Sequence, residues 1–214
     1  MVWENIYKNR LAGSYLKYPS DSFASIFFKS MQYVKSKKNA LDYGCGSGNN
    51  SEVIRGFFEN LSLVDISDSA IEIASKRLSI PKNRCFNTLE NVDETYDFIA
   101  AWNVLCYNTQ ASLQNTIKEF SKHLHSGGVL MCSISTTKDC KANFSDKVAP
   151  NQYVISHEIP EQEGADFCAF ETVKEFVALF ENDFSIIDYG EFCRISHKNK
   201  KELISEWYLV AQKK

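Results

Sequence analysis

Residues able to do chemistry gather at two places in the first third of the chain. The segment Leu41-Asp42-Tyr43-Gly44-Cys45-Gly46-Ser47-Gly48-Asn49-Asn50 sets glycines at alternate positions between an apolar run and a helical one. Glycines so spaced let the backbone turn tightly and approach a ligand, and the helix that follows offers free amide hydrogens. A nucleotide-like ligand suits such a turn. A dinucleotide fingerprint needs glycine at the sixth position counted from Gly44, where Asn49 stands, so the NAD reading is weakened. The second place is Leu61-Ser62-Leu63-Val64-Asp65, an apolar run ending in a carboxylate. A carboxylate can receive both hydrogens of a ribose diol, which reads an unphosphorylated ribose. Asp65, with Ser67 and Asp68, also suits the start of the next helix, and the two roles are compatible.

Two histidines are candidate general bases: His157, beside Glu158 and near Tyr153, and His197, in a basic cluster with Arg194, Lys198, Lys200 and Lys201. Imidazole ordinarily titrates near neutrality, although a lone histidine is more often structural. The basic cluster could grip a phosphorylated or nucleotide-linked acceptor, or simply solubilise an exposed turn. The seven cysteines are scattered and form no CxxC pair, which argues against a disulfide framework or a zinc knuckle and for a cytoplasmic setting. No ligand cluster calls for a metal.

These residues need a scaffold. From Asn39 onward, short apolar runs alternate with helix-period segments: strands at 40–43, 61–65, 84–86, 96–100 and 128–134, and helices near 51–58, 69–78 and 112–125. Strands joined by helical crossovers lie parallel, which gives a doubly wound, mostly parallel α/β sheet with ligands at the strands' carboxyl ends. The tail adds a helix at 173–180 and strands at 184–189 and 207–212, expected to pair antiparallel. Residues 1–38 are expected to form a helical arm or lid, with Trp3, Tyr7 and Leu11 at helical spacing and a second helix carrying Phe23, Phe27 and Met31. Residues 39–214 form the main domain, within which 136–171 lacks a period and is expected to be a cap-like insertion or a surface loop. With 214 residues and a net charge of −3, the chain suits one full-sized domain and disfavours bulk nucleic-acid binding. No run approaches a membrane span or a signal peptide.

Asp42, Gly44, Gly46 and Gly48 resemble the first motif of the class I S-adenosylmethionine-dependent methyltransferases, an acidic residue followed by GxGxG after the first strand. The resemblance spans roughly residues 39–135. It implies a Rossmann-like seven-stranded sheet with an antiparallel C-terminal strand, and S-adenosyl-L-methionine as cofactor. By the same resemblance the turn at Gly44, Cys45, Gly46 and Gly48 faces the methionine part, and Asp42 lies near its amino group, directly or through water. Asp65 holds the ribose and Ile66 packs on the adenine. Where the family carries an acid or polar group for the adenine amine, this chain has Asn87-Thr88-Leu89, so Asn87, Thr88 or backbone groups take that part. Ala101-Trp102-Asn103-Val104-Leu105-Cys106-Tyr107 resembles the segment that faces methionine and acceptor. No Asn-Pro-Pro-Tyr occurs, which counts against amino-group methylases of DNA and glutamine.

The function expected is therefore methyl transfer to a small molecule, with an oxygen acceptor favoured on a sugar or phosphorylated precursor. Trp3-Glu4, Tyr7 and Tyr18-Pro19 also resemble bacterial methyltransferases of surface-polysaccharide pathways. The alternatives are an NAD-dependent oxidoreductase and a catalytically silent cofactor-binding scaffold. A monomer and a homodimer are equally compatible with the sequence.

Overall fold

The computed structural model describes residues 2–11, 18–195 and 203–214. Its central strands are β1 (Asn39–Tyr43), β2 (Asn60–Val64), β3 (Cys85–Phe86), β4 (Tyr96–Ala101) and β5 (Leu124–Thr136). They run parallel in the order β3-β2-β1-β4-β5. Helices α3 (Asn49–Arg55), α4 (Asp68–Leu78) and α5 (Gln110–His123) make the crossovers. The starts of α4 and α5 are set by side chains: Ser67 accepts from the Ala70 amide and Thr109 from the Ser112 amide, satisfying amides that the first helical turn leaves without partners. After β5 the chain inserts α6 (Cys140–Asn143), β6 (Ser145–Ala149), β7 (Gln152–Ile155) and β8 (Asp166–Phe170). It then returns through α7 (Val173–Ala178) to β9 (Phe184–Ile195) and β10 (Leu203–Lys213). Strand β10 lies antiparallel between β5 and β9. This completes the expected seven strands.

Residues 136–171 are ordered into an antiparallel β6-β7-β8 meander, and β8 joins the end of β5 in parallel at Ser135–Ala169 and Thr136–Phe170. The meander shows no period in sequence because β8 is buried on both faces, from Phe167 to Phe170. Strand β5 begins earlier than the expected 128–134 and carries an irregularity between the pairs Tyr96–Leu124 and Phe98–Val129, where Gly127 takes φ +78°.

The sheet carries a core on each face. On one, Leu41, Ile99 and Leu130 pack under α5 through Leu113, Ile117 and Phe120. On the other, Ala40, Phe98 and Met131 meet α2 (Asp21–Ser30) through Phe23, Ile26 and Phe27. Ser20 caps α2 by accepting from the Phe23 amide. The first helix, α1 (Val2–Lys8), packs instead on α4 and on the turn at Pro160–Gln162. It thus spans from the parallel sheet's crossover layer to the 136–171 insertion.

Candidate active site

A cavity of about 450 Å³ opens at the carboxyl ends of β1, β2, β3 and β4. Gly44 and Cys45 both donate to the Val64 carbonyl, at 2.7 and 3.1 Å, which folds the loop after β1 back onto the end of β2. That closure brings the Gly46 amide to Asp65 Oδ2 at 2.9 Å, while the Ser67 amide donates to Oδ1 at 2.9 Å. Asp65 is only 8% exposed. Burial raises its pKa against the pull of these amides, so the carboxylate is held in place by the backbone and still borders the cavity. Gly44 adopts φ +73°, and a Cβ there would sit 2.3 Å from Val104 Cγ2, so the loop lies flush on the segment after β4.

Helix α1 covers this site. Glu4 accepts from Ser67 Oγ at 2.7 Å, from the Ser69 amide at 3.1 Å and from Ser69 Oγ at 2.6 Å, which ties α1 to the N-terminus of α4. The Ser69 and Ser67 bonds hold its carboxyl down at about 2. Trp3 and Tyr7 then line the cavity, Trp3 packing edge-on against Tyr107 with centroids 4.3 Å apart. The Tyr7 hydroxyl lies over Gly46, 2.5 Å from where a Cβ would stand. Lys141 of α6, which is not part of the cavity lining, donates its ammonium to the Tyr107 hydroxyl and lies 4.8 Å from that ring's centre. Burial pushes the Tyr107 phenol up to about 12, with the ammonium opposing.

Of the residues expected at the cofactor site, Gly44, Asp65, Ile66, Asn87, Thr88, Leu89 and Asn103 all line the cavity. Ile66 is 56% exposed at its mouth. Asn87 donates to the Asp65 carbonyl at 3.3 Å and to Asp68 at 2.9 Å, which holds the turn after β3 against the Asp65 corner. Gly46 touches the site through Asp65, and Cys45 and Gly48 lie in the same turn, Gly48 packing on Ala74 and Leu78. Asp42 does not line the cavity: its carboxylate is buried and accepts from Ser51 Oγ of α3. Trp102 is likewise buried, edge-on to Phe23 under α2, and away from the cavity lining. His157 is exposed in the turn after β7 and is not brought to the cavity. His197 and Lys198, Lys200 and Lys201 lie outside the described residues, and Arg194 is exposed on β9. Sequence reasoning passed over Glu90, a carboxylate at the Asn87–Leu89 end, and the α5 residues Ser112, Asn115, Thr116 and Glu119. The latter recur at helical spacing, so a polar stripe on α5 was the available signal.

The chain's residues fit an adenosyl cofactor. A carboxylate stands where a ribose diol would be read, the glycine turn lies so close to Val104 and Tyr7 that only a residue without Cβ fits at the cavity's edge, and an apolar Ile66 waits beside polar groups at the far end. Among the described residues no group of three or more His, Cys, Asp or Glu is arranged to hold a metal ion. No helix among them is long and apolar enough to cross a membrane.

Strand order, the turn after β1 and the acid after β2 together define the Rossmann-like class of methyltransferase folds. The family model described as a methyltransferase domain matches residues 17–183, and the chain belongs to that family, the class I S-adenosyl-L-methionine-dependent methyltransferases. Solved structures agree in fold. The N-methyltransferase NodS from Bradyrhizobium japonicum WM9, bound to S-adenosyl-L-homocysteine, superposes with a TM-score of 0.64 at 12% identity, over 100% of this chain and 99% of that one. A SAM-dependent methyltransferase from Anabaena variabilis gives 0.69 at 15% identity, over 100% and 94%. Another from Methanosarcina mazei gives 0.67 at 19%, over 86% and 95%. No curated protein matches the sequence.

Proposed function

We propose that this methyltransferase acts on a small molecule at an oxygen atom, with a sugar or phosphorylated precursor as the acceptor class. The observation that carries the reading is the roof of the site: α1 lays Trp3 and Tyr7 over a cavity of about 450 Å³ and touches the 136–171 insertion. Such an enclosure suits a small acceptor better than a polymer lying in an open groove. On this reading α1 serves as a lid, and the 136–171 insertion that it touches as a cap.

Bound S-adenosyl-L-methionine supplies an electrophilic methyl group on a sulfonium. Asp65 would hold the ribose hydroxyls, Ile66 and the Asn87–Glu90 turn the adenine, and the Gly44–Gly48 turn the methionine portion. What the chain adds is alignment and the exclusion of water, both served by α1. His157 has no place in this arrangement.

The test has two parts. Calorimetric titration should show S-adenosylhomocysteine binding with no heat from NAD. Incubation with methyl-labelled donor and a whole-cell extract, separated afterwards by size, should label an acid- and base-stable ether in the small-molecule fraction. Label on nitrogen would refute the oxygen reading, and label confined to macromolecules would refute the small-molecule one.

A further inference from the structure

Beside the cavity, a chain of hydrogen-bonding groups crosses three adjacent strands at the carboxyl edge of the sheet. Asn103, just past β4, lines the cavity and takes φ +56°, a left-handed conformation that non-glycine residues adopt sparingly. Its amide donates to Ser133 Oγ at 3.0 Å, and its side-chain oxygen lies 3.4 Å from the same hydroxyl. Ser133 belongs to β5 and is fully buried. On β10, Ser133 pairs with Tyr208, so Glu206 projects from the same face one diagonal step away. Glu206 is 4% exposed. One of its oxygens accepts from Ser22 Oγ at 2.9 Å; the other is fully buried and forms no hydrogen bond among the described residues, the nearby Ser133 hydroxyl being directed to Asn103 instead.

A buried carboxylate with an idle oxygen is costly, and packing alone gives no reason to keep it. Burial raises its pKa, opposed by the Ser133 and Ser22 hydroxyls; Asp139 adds to the rise and Lys141 opposes it. Ser133 has a single hydroxyl hydrogen: it is directed at Asn103 Oδ1, 3.4 Å away, and the unpartnered Glu206 oxygen on the same sheet face is the second acceptor that rotation of the hydroxyl brings into competition. With Glu206 ionised, the hydrogen is drawn to the carboxylate and Asn103 Oδ1 is free toward the cavity. With Glu206 protonated, Glu206 donates to Ser133, Ser133 donates to Asn103, and that oxygen is occupied.

We infer that Asn103 receives the hydroxyl of the acceptor, and that Glu206 is a positioning residue which, through Ser133, decides whether the Asn103 oxygen is free to do so. The inference rests on the oxygen-acceptor reading above for the identity of the ligand group, but the coupling of the three residues does not. It assigns a function to a buried carboxylate far along the chain from either motif, and it predicts an acceptor-dependent acidic limb in the rate.

The experiment follows Asn103 directly. In the S-adenosylhomocysteine complex, NMR of the Asn103 backbone and side-chain amides and of the Glu206 carboxyl carbon is recorded from pH 5 to 9. All three are expected to move with one midpoint above the ordinary carboxylate range. The Asn103 movement should vanish in Glu206→Gln and Ser133→Ala, with S-adenosylhomocysteine affinity within twofold of wild type. With the labelled acceptor, both variants should lose at least tenfold in kcat/KM, chiefly through KM, and Glu206→Gln should lose the acidic limb. Glu206→Asp should recover part of both. Asn103 signals indifferent to the titration of Glu206, or coupling that survives Ser133→Ala, would overturn the inference. So would a fall in cofactor affinity parallel to the fall in rate, which marks a merely structural role. Should wild type methylate nitrogen while the NMR coupling stands, the acceptor reading fails and the positioning of Asn103 survives.

Discussion

Asp65 and Gly44 act through different physics. The Asp65 carboxylate is already held by the Gly46 and Ser67 amides, so its orientation exists before any ligand arrives. A preset acceptor loses little freedom on binding. Asp65→Ala is expected to weaken S-adenosylhomocysteine binding by roughly 1.5–3 kcal/mol, the worth of charge-assisted hydrogen bonds, as calorimetry will show. Unchanged affinity would remove the ribose assignment. Gly44 matters for what it lacks. A methyl group there would meet Val104 Cγ2 at 2.3 Å and would need φ +73°. Gly44→Ala should destabilise the protein by about 1–3 kcal/mol through overpacking. In urea denaturation, Val104→Ala placed on the same background should restore the part due to collision, but not the part due to backbone strain.

Helix α1 is too short to be stable by itself, and its place depends on docking. Glu4 provides the latch: its carboxylate occupies the N-terminus of α4, where helix polarity and free amides favour negative charge. Its folded pKa, about 2, lies below the ordinary 4.5. The docking contribution is therefore complete above about 4.5 and is lost as the pH falls through about 2. Protection of the α1 amides, taken as hydrogen exchange relative to the intrinsic rate at each pH, should fall over that window in wild type. In Glu4→Gln that protection should already be low at neutral pH and should change little on acidification. Protection of α1 that is unaltered by the variant would show that Trp3 and Tyr7 hold the helix unaided.

For the whole molecule, the sheet's interior carries a charge cost. Asp42 is buried under the glycine turn, and burial raises its pKa from 3.8 to about 7 against the pull of Ser51. The folded state thus holds this proton more tightly than the unfolded chain does. The stability this lends is complete below 3.8 and is lost as the pH rises through about 7. Urea midpoints taken between pH 4 and 8 should show wild type losing stability relative to Asp42→Asn over that range. Parallel curves would mean that the carboxyl titrates normally. The bond to Ser51 Oγ links β1 to α3, so Asp42 braces the turn from below while Asp65 closes it from the side.

Much of the site was legible from residue types alone. Alternating glycines after an apolar strand, and an acid ending the next one, are local patterns whose consequences are local: a tight turn and a carboxylate at a strand's end. Period and length revealed the parallel strands and their crossover helices for the same reason, since each helix shows its buried face in its own sequence. Other features had no local signature. The β6-β7-β8 meander hides its strands because β8 is buried on both sides, and His157, beside it, looked eligible only until folding left it exposed. Asp42 and Trp102 carried motif positions yet turned into the core, because alternate residues of a strand face opposite sides of the sheet. Glu4 on Ser67 and Ser69, Lys141 on Tyr107, and Glu206 near Ser133 join residues far apart in the chain. The sequence determined which backbone could cradle an adenosyl group. Only the tertiary structure decided what covers that cradle and which buried charges stand behind it, because those contacts follow from how strands and helices pack and leave no periodicity in the residues that make them.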